Sequence, residues 1–220
     1  MRRLRKIAKK RVRAPGRPRG FDPEKALDRA LRVFWKHGYE GASLTDLTEA
    51  MGINRPSMYA AFGNKEKLFR KVLDRYESSA AAYDARGLDE PTARGSINRV
   101  LLSTADLLSD PKYPRGCLLV QGALACGNAS NAVRRELCLR RAAGEATIRE
   151  RLERAKAEGD LPAGVDTTEL AGYVITVLHG MSVQAAGGAS REKLRRIAER
   201  AMAAWPEARR GVDAGAGLVT

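Results

Sequence analysis

The chain has 220 residues, 44% of them hydrophobic and only 5% aromatic, so it is long enough and apolar enough to bury a core and is not compositionally disordered. Its net charge of +14 is unevenly spread: residues 1–20 carry ten Lys/Arg and no acid, residues 21–84 carry ten of each sign, and residues 85–220 are +4. The longest apolar run, Cys117–Cys126, is far too short to span a bilayer, and the basic start leads into Ala14–Pro18 rather than an apolar stretch, which excludes a secretory signal. Three cysteines cannot all pair with one another, and together these features point to the cytoplasm.

Residues 1–20 read as a basic arm that stays extended until a polyanion neutralises it. Nucleic acid, an anionic membrane surface, and a mere solubilising tail or misplaced start are the alternatives. Asp22-Pro23-Glu24 then starts a helix, and Ala26, Leu27, Ala30, Leu31 and Phe34 recur on one face until His37-Gly38 closes it. Ser43 caps a short helix over 44–51 with Leu44, Leu47 and either Ala50 or Met51 facing inward. Gly52-Ile53-Asn54 is a tight turn, and Asn54 caps a third helix, 55–62, held by Met58 and Phe62. Asn64 caps a fourth helix reaching to about Tyr83, with Leu68, Phe69, Val72, Leu73 and Tyr76 as its stripe.

Residues 85–95 carry Gly and Pro and form a joint between two regions. Five further helices are expected at about 93–109, 115–127, 131–158, 166–186 and 190–204, and residues 207–220 read as a loose tail. No stretch alternates long enough to suggest a sheet. The fold class is therefore all-α: a helix-turn-helix domain over 21–84, including the linking fourth helix, then a helical domain over 85–206.

Two short helices joined by a Gly-bearing turn make a DNA-reading hairpin, in which the second helix presents its N-terminal residues to base edges. Arg55 is the residue there able to grip guanine with two hydrogen bonds. Pro56 and Ala60 offer apolar contact to a thymine methyl, Ser57 a bond to a base or phosphate, and Tyr59 a hydroxyl to phosphate. Ser43, Thr45, Asn54 and Lys65 lie at helix N-termini, where a phosphate is favoured; Ser43, Asn54 and Asn64 are caps in any case. Arg17 and Arg19 are placed to reach an adjacent minor groove.

Residues 21–69 resemble the N-terminal domain of the TetR/AcrR family of repressors. The resemblance rests on Ala30, Phe34, Gly38-Tyr39, Ser43-Leu44, Asp46-Leu47, Glu49 to Ile53, Ser57-Met58-Tyr59, Phe62 and Asn64 to Leu68, with Gly16-Arg17-Pro18-Arg19 leading in. Many members carry His-Tyr where this chain has Ala60-Ala61, which leaves Tyr59 and Lys65 to meet phosphate. The resemblance implies a homodimer on a palindromic operator, closed by four helices, two from each subunit, and a small-molecule effector bound beyond residue 85. Half-sites would lie roughly 34–36 Å apart or a multiple of that. The apolar lines Val174, Val177 or Leu178, Met181 and Leu194, Ile197, Ala201, Trp205 are the candidate dimer interface.

Candidate effector contacts are Cys117, Val120, Cys138 and His179. Cys117 is either a redox or electrophile sensor or a small buried hydrophobe. His179 points into a pocket or sits satisfied in a core or interface. Arg134, Arg135, Arg140 and Arg141 read as a solvated helix face, with an acidic partner as the other reading. The cysteine spacing fits no metal site, no cofactor motif is present, and His37 and His179 belong to no catalytic motif, so no enzyme is expected. The rivals to a ligand-released repressor are a non-specific architectural DNA binder and a thiol-sensing regulator.

Overall fold

The computed structural model describes residues 20–79, 85–122 and 131–206. Among them lie nine α-helices and no strand: α1 Pro23–Gly41, α2 Leu44–Met51, α3 Arg55–Phe62, α4 Lys65–Glu77, α5 Ala93–Leu108, α6 Leu118–Gln121, α7 Asn131–Ala157, α8 Thr167–Ala186 and α9 Arg191–Met202. The joint expected at 85–95 contains a 3-10 turn over Ala85–Asp89. Helix α4 ends at Glu77, capped at Ser78, short of the expected Tyr83. The basic arm with Arg17 and Arg19, the C-terminal tail and Cys126 lie outside the described residues.

Helix starts follow local chemistry. Asp22 Oδ1 accepts from the backbone N–H of Glu24 at 3.0 Å, Asn64 Oδ1 from Lys67 at 2.8 Å, and the Ser190 hydroxyl from Lys193 at 3.2 Å. The expected break at Gly38 is real, with φ 69° and ψ −178°, yet helical turns resume as far as Gly41. That break frees the N–H of Tyr39 to donate to Gly122 O at 3.0 Å, tying the end of α1 to the end of α6.

Two apolar cores result. The first joins α1–α4 and takes in Leu118, Val133 and Leu137 from beyond the joint; the second joins α5, α8 and α9 with Ile148, Leu152 and Ala155. Helix α7 serves both, its first half facing one core and its second half the other. Trp35 is buried between α1 and its neighbours: its ring meets Tyr76 edge-on at 4.8 Å, stacks near Tyr113 at 5.8 Å, and donates Nε1–H to Gly116 O at 2.9 Å.

The candidate dimer residues lie mostly inside the subunit. Val174, Leu178, Met181, Leu194 and Ala201 are buried in the subunit's own second core, while Ile197 and Trp205 pack half-buried against it. A stripe of period 3.6 reads the same whether it faces its own core or a partner. The outward face of α8 instead presents Tyr173, Thr176, Gly180 and Val183, with Tyr173 43% and Val183 50% exposed.

Candidate DNA interface and the joint behind it

Helices α2 and α3 form the hairpin read from sequence. The Ser43 hydroxyl accepts from Asp46 N at 3.0 Å while Asp46 Oδ2 accepts from Ser43 N at 3.0 Å and from its hydroxyl at 2.6 Å. These bonds hold the Asp46 carboxyl below the ordinary carboxylate range, with a smaller contribution from the charge of His37. Ser43 has thus committed both its donors to Asp46. Gly52 ends α2 in the left-handed region (φ 69°, ψ 33°), where any Cβ is strained and would sit 3.2 Å from Arg29 Nη1. Asn54 Oδ1 accepts from Ser57 N at 2.9 Å to start α3.

Helix α3 is anchored by Met58 and Phe62, 0% and 6% exposed. Its remaining face carries exposed Arg55, Pro56, Tyr59 and Ala60, with Ser57 half-buried. Arg55 Nη2 donates to the Thr45 hydroxyl at 3.0 Å, so two residues singled out for DNA contact hold each other in the free protein. A guanidinium has five donors, so this bond positions Arg55 without exhausting it. Lys65 places its ammonium 4.5 Å from the centre of the Tyr39 ring. Phe21 packs against Phe62 at 6.4 Å, which brings the chain into the fold beside α3.

Helix α4 connects this hairpin to the rest. Arg75 grips Asp28 of α1 through two nitrogens at 2.8 and 3.1 Å and reaches Glu24 at 3.4 Å. From α7, Arg140 bonds Asp74 at 2.6 Å, Glu77, and Glu136 on its own helix. Its side chain is only 17% exposed, and the bonds to Asp74, Glu136 and Glu77 hold its charge firmly on despite burial. The expectation of a solvated Arg face on α7 therefore holds for Arg134 and Arg135, which are exposed, and fails for Arg140 and for half-buried Arg141, whose Nη1 donates to Leu119 O at 2.8 Å. Sequence reasoning missed Arg29, Trp35, Arg75 and Arg140 as joint-formers, because each partner lies tens of residues away.

The four candidate effector residues differ in burial. Cys117 is half-buried at the seam of the two cores; its thiol accepts from the Tyr76 hydroxyl at 3.3 Å and its N–H donates to the Ser182 hydroxyl at 2.8 Å. Burial and the Cys117 contact push the Tyr76 phenol well up, so that it stays a donor. Val120 is buried, Cys138 exposed and accepting from Arg141 Nη2 at 3.2 Å, and His179 half-buried. Burial and then Arg141 lower the His179 pKa, so its ring is neutral at pH 7. Among the described residues no group of His, Cys, Asp and Glu could hold a metal ion, and no helix is long and apolar enough to cross a membrane.

The hairpin and the helical region behind it match two family models in succession, the tetR family of bacterial regulatory proteins over residues 26–72 and the tetracyclin repressor-like C-terminal domain over 93–202. The chain belongs to the TetR family. It is 38% identical over 194 residues to the HTH-type transcriptional repressor ComR of Escherichia coli, covering 87% of this chain and 92% of ComR. It is 27% identical over 183 residues to the repressor AcnR of Corynebacterium efficiens, covering 79% and 87% of the two chains. Among solved structures, a cysteine mutant of the TetR-family regulator CifR, complexed with 26-bp double-strand operator DNA, matches with TM-score 0.84 and 48% identity, covering 86% of this chain and all of that one. A TetR regulator from Rhodococcus sp. RHA1 matches with TM-score 0.58 and 42% identity, covering 83% and 98%. This TetR-family chain is a DNA-binding transcriptional regulator, with its helix-turn-helix in α2 and α3.

Proposed function

We propose that the chain is a repressor that binds a palindromic operator as a homodimer and is released by a small molecule, acting in the cytoplasm at the nucleoid and catalysing no reaction. The observation that carries the reading is the outward face of α3: Arg55, Pro56, Ser57 and Ala60 look away from a helix pinned by Met58 and Phe62, with Arg55 steadied by Thr45. Arg55 reads guanine, Ser57 bonds a base or phosphate, and Pro56 and Ala60 give apolar contact. Thr45, Asn54, Tyr59 and Lys65 meet phosphate. Ser43, already bonded to Asp46, contributes through the helix end it caps. Arg17 and Arg19 reach the neighbouring minor groove.

The test compares Arg55→Ala on a selected operator and on random DNA. One good two-bond base contact discriminates by about 1–3 kcal/mol and a homodimer loses two of them, so operator affinity should fall at least about 30-fold while random DNA loses only a few-fold. Equal losses on both would remove Arg55 from sequence reading and favour the architectural alternative.

The dimer face is proposed on the outward side of α8, at Tyr173, Thr176, Gly180 and Val183. Gly180 has open space where a Cβ would sit, so a partner helix can come close there. Introducing a charge with Val183→Arg should turn the dimer into a monomer by light scattering, at unchanged helix content, with operator affinity falling in step. A dimer of undiminished strength would move the interface elsewhere. Effector binding is proposed around Cys117, Val120 and His179, with Cys138 left on the outside. Its effect on α3 would travel through α4, held at once by Arg75 to α1 and by Arg140 to α7.

A further inference from the structure

A cleft lies where α1, the α5–α6 connection and the end of α8 meet, with Trp35 of the first core in its wall. It is an open cleft of about 530 Å³ lined by Trp35, Lys36, His37, Gly38, Pro114, Arg115, Gln121 and Ala186. Three of these are basic and none is acidic. The remainder is largely apolar, with the Gln121 amide as a further polar group. None of the residues proposed for effector binding lines it.

The wall is built rather than accidental. Gly38 and Gly116, at φ 69° and 88°, bend the chain on its two sides, and an added Cβ on Gly116 would come within 2.4 Å of the Gln121 side chain. Gln121 therefore packs directly onto Gly116, whose carbonyl accepts from the buried Trp35 Nε1. Arg115 is steadied by donating Nη1–H to Ala189 O at 3.1 Å, which leaves other guanidinium donors for a ligand. Asp46, which interacts electrostatically with His37, does not line the cleft, and its Oδ2 accepts both bonds from Ser43.

We infer that this cleft binds a small organic anion, its carboxylate or phosphate held by Lys36, His37 and Arg115 and its apolar body lying against Pro114, Ala186 and the edge of Trp35. The volume matches a small-molecule site, and the mix of apolar wall with a few convergent polar groups is what such sites use. An inorganic anion would use the cations but leave the apolar wall wet. Because Lys36 and His37 belong to the DNA-binding unit and Arg115 and Gln121 to the region behind it, an occupant touches both units.

Binding is read without DNA, so the outcome does not depend on the repressor reading. In the full-length Trp205→Phe protein, Trp35 is the sole tryptophan and reports on the cleft. Benzoate should give a saturable change in its fluorescence, with benzyl alcohol and inorganic phosphate each binding at least tenfold more weakly. Lys36→Gln and Arg115→Gln, each checked for unchanged helix content, should weaken benzoate at least about fivefold. Isothermal titration should agree. Absence of saturation, equal response to benzyl alcohol or to phosphate, or full affinity in both variants would overturn the inference. Lys36 is exposed, so its variant keeps the test valid if Arg115→Gln fails to fold.

Discussion

Arg151→Ala should destabilise the protein by about 3 kcal/mol or more, a loss on the scale of emptying a large core side chain. Arg151 is 4% exposed in the second half of α7. Its Nε donates to Leu88 O at 3.0 Å and to the Ser96 hydroxyl at 3.2 Å, and its Nη2 to Glu90 O at 3.0 Å. One long side chain thus satisfies the backbone of the segment entering α5, and among the described residues its Nη1 has no partner. Truncation leaves the Leu88 and Glu90 carbonyls to share the single proton of the Ser96 hydroxyl, so that one of them loses its partner, and it opens a cavity in the second core. Each stranded polar group costs about 1–3 kcal/mol, with the cavity added.

Arg151→Met separates the contributions. It keeps the packed stem and removes the cost of burying a charge whose bonded acceptors are all neutral, so it should lose about half as much. For a chain of this size 1 kcal/mol moves the melting midpoint by roughly 2–4 °C, so Arg151→Ala should melt at least about 6 °C lower at matched protein concentration. A shift of under 2 °C for both variants would mean that the segment around Leu88 finds other donors.

What was legible in the sequence was local. Caps at Asp22, Ser43, Asn54, Asn64 and Ser190 all accept from the backbone N–H groups their positions imply, because a cap is decided within three residues. The stripes of α1 and α4 were readable for the same reason, and so was the α2–α3 hairpin with its outward α3 residues. What was not legible depends on partners far along the chain. Arg75 pairs with Asp28 across 47 residues and Arg140 with Asp74 across 66, and nothing in either neighbourhood announces it.

Arg151 is an intermediate case. It stands three residues after Ile148 and four before Ala155, inside the buried stripe of α7, and that position carried the signal. Helix α8 defeated pattern reading for the opposite reason. It is apolar on more than one face, so periodicity does not say which face turns toward its own core; Val174, Leu178 and Met181 turn inward while Tyr173 and Val183 face out.

Deleting residues 1–19 should lower affinity for operator and random DNA alike and flatten the dependence of both on salt. The deletion removes ten positive charges and leaves a body of only +4 whose residues 21–84 are neutral. Each phosphate neutralised contributes about 0.9 to the slope of log K against log salt, so four contacts from the arm would be worth about 3.6 in slope and roughly a hundredfold in binding between 50 and 200 mM salt. The arm is well placed for this, since Phe21, two residues after it, packs on Phe62 of α3 and so feeds the chain in beside the reading helix. Arg55→Ala and the deletion should then fail in different ways. The first lowers the ratio of operator to random affinity and changes the slope by about two at most, one for each subunit; the second lowers both affinities and largely preserves the ratio. An unchanged slope after the deletion would strip the arm of any phosphate role and leave the attraction to the helix ends of α2, α3 and α4, whose backbone N–H groups and Lys65 would have to supply it alone.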